Sequence, residues 1–277
     1  MLKLGTQDMD FFPKDAKGKF EAAKSLGFDC FEIDGRFLVE RFEEVKSATK
    51  NTGFPVLSIC GGYTGWIGDF DAERRKTALC DIEKILEKGS ELGASGIVVP
   101  AAWGMFSKRL PPMVPPRSDA EDHSILLDSL GFLDAVAART GTFIHFEPLN
   151  RYEDHMVNTV DDAISLIDAG GFVRIKVMPD FFHMNIEEND IGASLSKAAG
   201  RFTQIHLASS KRFQPGTGHL DYKEAFSVLS SIGFSGLAVF ECRVQGKDPA
   251  KEYAKSVDYV RKIAANAGFT FPIKGIG

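Results

Sequence analysis

The chain alternates short apolar runs with longer amphipathic runs, and a glycine follows most of the longer ones. Runs such as 55–60 and 96–100 predict strands, whereas 71–92, which ends before Gly93, predicts a helix. Glycine just after a helix is a typical C-cap residue. Strands that alternate with helices of this length form a parallel sheet, because parallel neighbours need a crossover connection between them.

About eight such strand–helix units fill the 277 residues. The predicted strands are 2–7, 30–34, 55–60, 96–100, 142–147, 173–180, 203–208 and 236–241. Eight units predict a (β/α)8 TIM barrel, which we assign as a single α/β domain over 1–277. The alternative is an open doubly wound sheet, but the first strand runs into Gln-Asp-Met-Asp-Phe-Phe rather than a glycine-rich phosphate turn. Two of the predicted helices span 37–52 and 186–199.

Composition narrows the partners of the chain. A hydrophobic fraction of 44% is ordinary for a globular protein. The formal net charge of -5 argues against a nucleic-acid partner, which usually leaves a basic footprint. No apolar run approaches the ~18 residues of a membrane span. The four cysteines form no CxxC pair and the N-terminus lacks a signal-peptide pattern, so we predict a cytoplasmic protein, with a homo-oligomer (dimer or tetramer) left open.

Polar residues stand at the carboxyl ends of the last four predicted strands: Glu147, Asp180, His206 and Glu241. In a barrel these side chains meet at one rim. Three carboxylates beside an imidazole repel one another unless a cation joins them, so a divalent metal ion is the natural partner. The donor set favours Mn²⁺ or Mg²⁺, with Co²⁺ or Zn²⁺ as alternatives. Each residue alone is as typical of an ion pair or a core histidine, and it is the constellation that favours a metal site.

Other residues near this rim are candidates for binding a substrate. His183 follows Asp180 by three positions, and Arg212 lies in the loop after His206. Arg212 is free to meet a hydroxyl, a carbonyl or an anion. Glu32, near the end of the second strand, would either bind a hydroxyl or form a structural ion pair.

Aromatic residues occupy the two long loops, 61–70 and 101–118. Trp66 and Trp103 lie in them, with Tyr63 nearby. They would stack on the apolar face of a sugar or pack the loops against the rim.

Four runs make the sequence similar to a known family. They are Glu-Pro-Leu-Asn-Arg-Tyr-Glu (147–153), Asp-x-x-His-Met-Asn-Ile-Glu-Glu (180–188), Pro-Gly-x-Gly-His (215–219) and Phe-Glu-Cys-Arg (240–243), together with His206. They resemble the xylose-isomerase-like TIM-barrel superfamily. The branch they resemble is that of the sugar (phosphate) isomerases and epimerases, which includes ketose 3-epimerases of the tagatose/allulose type.

The resemblance implies roles for individual residues. Glu147, Asp180, His206 and Glu241 match the ligands of one divalent metal ion, for which Mn²⁺ is favoured. Glu147 and Glu241 also match the catalytic pair that moves protons. Glu153, His183 and Arg212 match substrate-binding residues, to which we add Trp103 and His145. The implied activity is that of a metal-dependent isomerase or epimerase acting on a keto-sugar, a sugar-like polyol or a sugar phosphate.

This chemistry has a physical reason. A proton next to a ketone is too weakly acidic for a free carboxylate to remove at a useful rate. A metal ion bound to the carbonyl and the adjacent hydroxyl oxygen stabilises the developing enediolate. One glutamate removes the proton and a second returns it on the opposite face, which inverts the carbon.

Three alternatives stay open. A lyase of the same superfamily, such as an inosose or dehydroshikimate dehydratase or a keto-glycoside-eliminating enzyme, would use His145 as an extra base near the metal. A nuclease like the apurinic-site endonucleases needs a histidine-rich zinc cluster, and the chain has six histidines. A non-catalytic sugar-binding protein would have lost part of the ligand set. If the sugar is phosphorylated, Lys108, Arg109, Lys211 and Arg212 are the candidates to bind the phosphate.

Overall fold

The computed structural model describes residues 1–107 and 113–272. Its strands are β1 (Leu2–Thr6), β2 (Cys30–Asp34), β3 (Val56–Cys60), β4 (Gly96–Pro100), β5 (Phe143–Glu147), β6 (Ile175–Val177), β7 (Gln204–Leu207) and β8 (Gly236–Phe240). Its helices are α1 (Ala16–Ser25), α2 (Gly35–Glu40), α3 (Phe42–Thr52), α4 (Ala72–Leu92), α5 (Asp119–Thr140), α6 (Val160–Gly170), α7 (Phe181–Glu187), α8 (Ile191–Lys197), α9 (Tyr222–Ser231) and α10 (Pro249–Asn266). None of the helices in these two ranges has the length and apolar character needed to cross a membrane.

The strands form one parallel sheet that curls into a barrel. Their order is β6-β5-β4-β3-β2-β1-β8-β7, so the first and last strands of the sheet are β6 and β7. These two meet through a parallel bridge between Asp180 and His206, and the His206 amide donates a hydrogen bond to the Pro179 carbonyl oxygen at 2.9 Å. The predicted TIM barrel is confirmed, and the open doubly wound alternative is wrong.

The buried residues of the strands belong to three groups. Leu2, Leu4, Ile144 and Ile205 are part of the main apolar core, which the strands share with the helices, whereas Cys30, Leu237 and Val239 form a separate small apolar cluster. A polar layer comprises the buried residues Glu32, Ser58, His145, Gln204 and His206. Buried polar groups are tolerated where they are hydrogen-bonded or serve a site, so this layer marks the functional end of the barrel.

Two helices predicted as single runs are each divided, which corrects the sequence analysis. The run 37–52 is broken at Arg41, whose backbone (φ -123°, ψ 33°) is not helical, between α2 and α3. The run 186–199 is replaced by α7 and α8, because Glu188 adopts an extended conformation and Asp190 caps the second helix by accepting a hydrogen bond from the Ala193 amide. Helix α7 therefore begins directly after Asp180 and carries His183 to the rim.

Candidate metal centre and adjoining cavity

Four side chains converge where β5, β6, β7 and β8 end. Glu147, Asp180, His206 and Glu241 each offer one ligand-type atom, and these atoms all lie within 4.8 Å of one another. His206 Nδ1 is central, at 2.6 Å from Glu241 Oε2, 3.5 Å from Glu147 Oε1 and 3.7 Å from Asp180 Oδ2. The structure thus brings together all four residues that the strand ends predicted.

Glu32 fixes the orientation of the His206 ring. Glu32 Oε1 accepts hydrogen bonds from His206 Nε2 and Gln7 Nε2, both at 2.9 Å. Its Oε2 accepts from Ser58 Oγ at 2.6 Å and from Gln204 Nε2 at 2.5 Å. Because Nε2 donates to this carboxylate, Nδ1 is the ring nitrogen left to face the cluster, as in the carboxylate–histidine–metal arrangement.

The two carboxylate oxygens of Asp180 have different partners. Its Oδ1 caps α7 by accepting from the amides of Phe182 at 2.7 Å and His183 at 3.2 Å. Its Oδ2 faces the cluster and accepts from Arg212 Nη1 at 2.6 Å. Arg212 Nη2 lies 2.6 Å from Glu241 Oε2, so one guanidinium joins two of the carboxylates.

The backbone of Arg212 is itself unusual. Its φ of 59° lies in the left-handed region, which non-glycine residues seldom adopt. The Arg212 amide donates to the Ser209 carbonyl at 2.9 Å, and its carbonyl accepts from the Arg243 amide at 2.8 Å. These bonds hold a strained residue in place so that its side chain points at the carboxylates.

The donor atoms fit a divalent cation. Glu147 Oε1, His206 Nδ1 and Glu241 Oε2 are buried, and within the described ranges their only polar neighbours are charged groups at short range, without a hydrogen bond of regular geometry. Buried polar atoms without regular hydrogen bonds are costly. A metal ion among one imidazole and three carboxylates would satisfy all of them at once.

Burial and neighbouring charges move the pKa values of this cluster apart. Burial, followed by the charge of Glu241, raises the pKa of Glu147 to about 8. Burial also opposes ionisation of Glu241, but the charges of Arg212 and His206 hold its pKa well below the usual range. For His206, burial is outweighed by Glu32 and Glu241, which hold its pKa well above the usual range.

A cavity of about 180 Å³ opens beside the cluster. The lining residues are Cys60, Gly61, Tyr63, Trp66, Val98, Pro100, Trp103, Glu147, Leu149, Glu153, His183, Arg212 and Glu241. The volume is below the ~300 Å³ at which pockets for drug-sized ligands begin, and it suits a single sugar unit. Four of the five predicted substrate-binding residues, Glu153, His183, Arg212 and Trp103, therefore lie on its wall.

Hydrogen bonds connect the polar part of this wall. Trp103 Nε1 donates to Glu153 Oε2 at 2.9 Å, and Asn150 Nδ2 donates to Glu153 Oε1 at 2.9 Å. The Asn150 amide donates to His183 Nδ1 at 3.0 Å. Because Nδ1 accepts this bond, the proton of a neutral His183 ring lies on Nε2, which makes that nitrogen a donor.

His145 does not reach the cavity, which corrects its prediction as a substrate contact. Its side chain is fully buried, and its Nε2 lies 3.5 Å from Ser95 Oγ. It precedes Glu147 by two residues on the same face of β5, so it lies about 6.6 Å deeper in the barrel. Of the proposed phosphate-binding residues, Lys108 and Arg109 lie outside the described residues, and Arg212 is already paired with carboxylates.

Sequence reasoning assigned no role in the metal centre to Glu32 and no polar role to Tyr63. The signal for Glu32 was a carboxylate inside an otherwise apolar strand, Cys-Phe-Glu-Ile. The signal for Tyr63 was its place directly after the glycine pair that follows β3. Neither signal tells which partner the side chain meets.

Comparison with known proteins identifies the family of the chain. The xylose isomerase-like TIM barrel family matches residues 20–263. A 3-dehydro-D-guloside 4-epimerase of Escherichia coli is 48% identical over 260 residues, which are 94% of this chain and 99% of that protein. A D-psicose 3-epimerase of Enterocloster bolteae is 36% identical over 237 residues, which are 82% of this chain and 76% of that protein.

Solved structures extend the comparison. The apo form of a 3-keto-D-glucoside 4-epimerase from E. coli superposes with a TM-score of 0.92 at 48% identity, covering 95% of this chain and 100% of that one. A D-psicose 3-epimerase from Clostridium cellulolyticum H10 with D-tagatose gives a TM-score of 0.82 at 23% identity, covering 95% and 99% of the two chains. At that identity the second likeness concerns the fold alone.

Proposed function

This chain belongs to the xylose isomerase-like TIM barrel family, and on that premise we propose that it is a divalent-metal-dependent epimerase of keto-sugars. The substrate we propose is a 3-keto-glycoside, inverted at C4. The observation that carries the proposal is the convergence of Glu147, Asp180, His206 and Glu241 within 4.8 Å at the mouth of a sugar-sized cavity. The choice of substrate rests on the 48% identity to the E. coli enzymes.

The four clustered residues would hold the metal ion, with Mn²⁺ favoured. When bound, the ion supplies positive charge that stabilises negative charge developing on the oxygens of the substrate. The carboxylates and His206 orient it, and Glu32 keeps Nδ1 of His206 available. Three buried ligand-type atoms that make no regular hydrogen bond in the described part of the chain, Glu147 Oε1, His206 Nδ1 and Glu241 Oε2, support this part of the proposal.

Glu147 and Glu241 would carry the protons. Glu147 ends β5 and Glu241 directly follows β8, and these strands are three positions apart around the ring, so the two carboxylates can approach a bound sugar from two sides. In the proposed step, one carboxylate removes the proton from the carbon next to the ketone. The other, protonated at the start, donates its proton to the opposite face of that carbon, and proton exchange with solvent restores both carboxyl groups before the next turnover.

The rest of the cavity would orient the sugar. Arg212, Glu153 and the Nε2–H of His183 offer polar groups for its oxygens, and Trp66 and Trp103 offer an apolar wall. The two tryptophan rings stand 6.3 Å apart between centroids. A mixed lining of this kind binds a ring that has hydroxyls at its edge and C–H groups on its faces.

The test is epimerisation in heavy water, followed by proton NMR. Mn²⁺-loaded protein is incubated with methyl 3-keto-D-glucoside, and chelator-treated protein serves as the control. We expect the 3-keto-D-guloside to form with deuterium at C4 in the loaded protein only. Loss of water or methanol would indicate a lyase, and turnover in the fully chelated protein would refute the metal centre.

A second candidate is a ketose 3-epimerase. The 36% identity to the D-psicose 3-epimerase, over 82% of this chain, favours it. D-psicose and D-fructose therefore belong in the same assay. Inversion at C3 of a free ketose, faster than inversion of the keto-glucoside, would select this candidate over the first.

A further inference from the structure

Tyr63 has a buried hydroxyl that no part of the proposed chemistry uses. Its side chain lines the cavity, and the residue is only 8% exposed. Its hydroxyl oxygen is buried and has no hydrogen-bond partner within residues 1–107 and 113–272. Glu147, a proposed proton carrier, belongs to the same wall.

The loop and the neighbouring rings hold Tyr63 in this position without help from the hydroxyl. Gly61 and Gly62 precede it with φ values of 65° and 86°, which favour glycine. A Cβ on Gly62 would lie 2.2 Å from the Arg36 amide nitrogen, so the loop packs closely against the start of α2. The Tyr63 ring meets Trp66 edge to face, with centroids 5.6 Å apart.

A phenylalanine at this position would keep all of that packing. A buried hydroxyl without a partner destabilises a fold, whereas the same ring without the oxygen does not. Burial raises the pKa of the Tyr63 phenol, so the group stays protonated and is a donor. A donor that the protein leaves unpaired in the wall of a cavity is suited to a ligand acceptor.

We propose that the Tyr63 hydroxyl donates a hydrogen bond to an oxygen of the sugar bound in this cavity, and that this bond selects sugars carrying an oxygen within its reach. The inference rests on the proposed function, because it needs a sugar in this cavity. It makes Tyr63 a specificity-determining residue beside the metal ligands and the polar residues already described.

The test compares Tyr63→Phe with Tyr152→Phe. Tyr152 is 55% exposed and is not among the lining residues, so its variant loses the same hydroxyl outside the cavity. For Tyr63→Phe we expect KM for methyl 3-keto-D-glucoside to rise about three- to tenfold, as for one neutral hydrogen bond. Its kcat, its Mn²⁺ affinity and its Tm should stay at or above those of the wild type, and Tyr152→Phe should leave KM unchanged.

Deoxy analogues identify the oxygen. Methyl 3-keto-glucosides that lack the 2- or the 6-hydroxyl are assayed with both the wild type and Tyr63→Phe. The analogue without the partner oxygen should show the same KM with the two proteins, while the other keeps the full difference. An equal KM for every sugar would overturn the proposal, as would a lower Tm with no change in KM, because the hydroxyl would then serve the fold.

A binding measurement separates this inference from the proposed function. Methyl D-glucoside lacks the ketone and cannot react, and its Kd is read from the fluorescence of Trp66 and Trp103. If the wild type binds methyl D-glucoside but turns over no keto-sugar, the proposed function fails. In that case a higher Kd for methyl D-glucoside in Tyr63→Phe than in the wild type would still support the role of Tyr63. If the wild type binds neither sugar, both proposals are overturned.

Discussion

Replacing Glu32 by glutamine tests whether this carboxylate prepares His206 for a metal ion. Each Glu32 oxygen accepts two hydrogen bonds, Oε1 from Gln7 and His206 and Oε2 from Ser58 and Gln204. Glutamine has the same shape but only one acceptor oxygen. Whichever way the amide turns, its NH₂ group faces two of these four groups; the Ser58 hydroxyl can turn to accept from it, whereas the His206 Nε2–H would lose its acceptor.

The cost divides into stability and metal affinity. One or two buried donors without acceptors lower the free energy of unfolding by about 1–6 kcal/mol, at 1–3 kcal/mol each. The negative charge behind the His206 ring is lost in either orientation, and if the NH₂ group faces His206 the ring is also no longer held with Nδ1 toward the cluster. Loss of an outer-shell partner typically weakens metal binding about 10- to 100-fold, which corresponds to about 1.4–2.7 kcal/mol.

The assay is calorimetric titration of Mn²⁺ into metal-free protein at 25 °C, well below the unfolding transition of each variant. Ser58→Ala is the matched control, because it removes a 2.6 Å hydrogen bond from the other oxygen of the same carboxylate. We expect Ser58→Ala to lower Tm with little change in Mn²⁺ affinity. An unchanged Kd in Glu32→Gln, or an equal loss in Ser58→Ala, would refute the argument.

Three further outcomes are expected. Glu147→Gln and Glu241→Gln should each lower kcat at least about a thousandfold in the NMR assay, since each removes a metal ligand and a proton carrier; substantial activity in either would contradict the two-carboxylate scheme. Chelation should abolish turnover and lower Tm by several degrees, with both restored by Mn²⁺, because an ion at 100 times its Kd stabilises the fold by about 2.7 kcal/mol. Burial lowers the pKa of His145 from 6.5 in the unfolded chain to about 4 in the folded protein. As the pH falls from 6.5 to 4, the unfolded state therefore takes up a proton before the folded state does. The free energy of unfolding should fall by up to about 3 kcal/mol over this range. Urea titrations of the wild type and His145→Gln across that window should show a shallower pH dependence in the variant, and parallel curves would assign the loss to other groups.

The metal cluster could be predicted from the sequence because parallel strands share a direction. Once eight strands are placed in a barrel, their carboxyl ends lie on one rim, and Glu147, Asp180, His206 and Glu241 must be neighbours there. His183 and Arg212 followed because each lies a few residues beyond a ligand. These predictions need only the order and direction of strands, which apolar runs and glycine caps reveal.

The depth of a side chain in the barrel, and its partner across the interior, could not be predicted in the same way. His145 and Glu147 face inward alike, and only the height of each strand in the barrel decides which one reaches the cavity. Glu32 meets His206 across 174 positions of sequence, a contact that depends on how β2 and β7 lean across the interior. The division of 37–52 at Arg41 likewise depends on how α2 packs beneath the loop after β3, which no local pattern records.

The candidate metal centre lies where the sheet closes, so its proposed function and the stability of the barrel are linked. β6 has only three residues, and it meets β7 through the single bridge between Asp180 and His206, where the sheet closes. Two of the four proposed ligands are thus the residues that close the barrel. An ion held by both would cross-link the part of the ring with the fewest ladder hydrogen bonds, whereas three uncompensated carboxylates would push it apart. Arg212 bridges Asp180 and Glu241 and so offsets part of the charge at the place where the barrel closes.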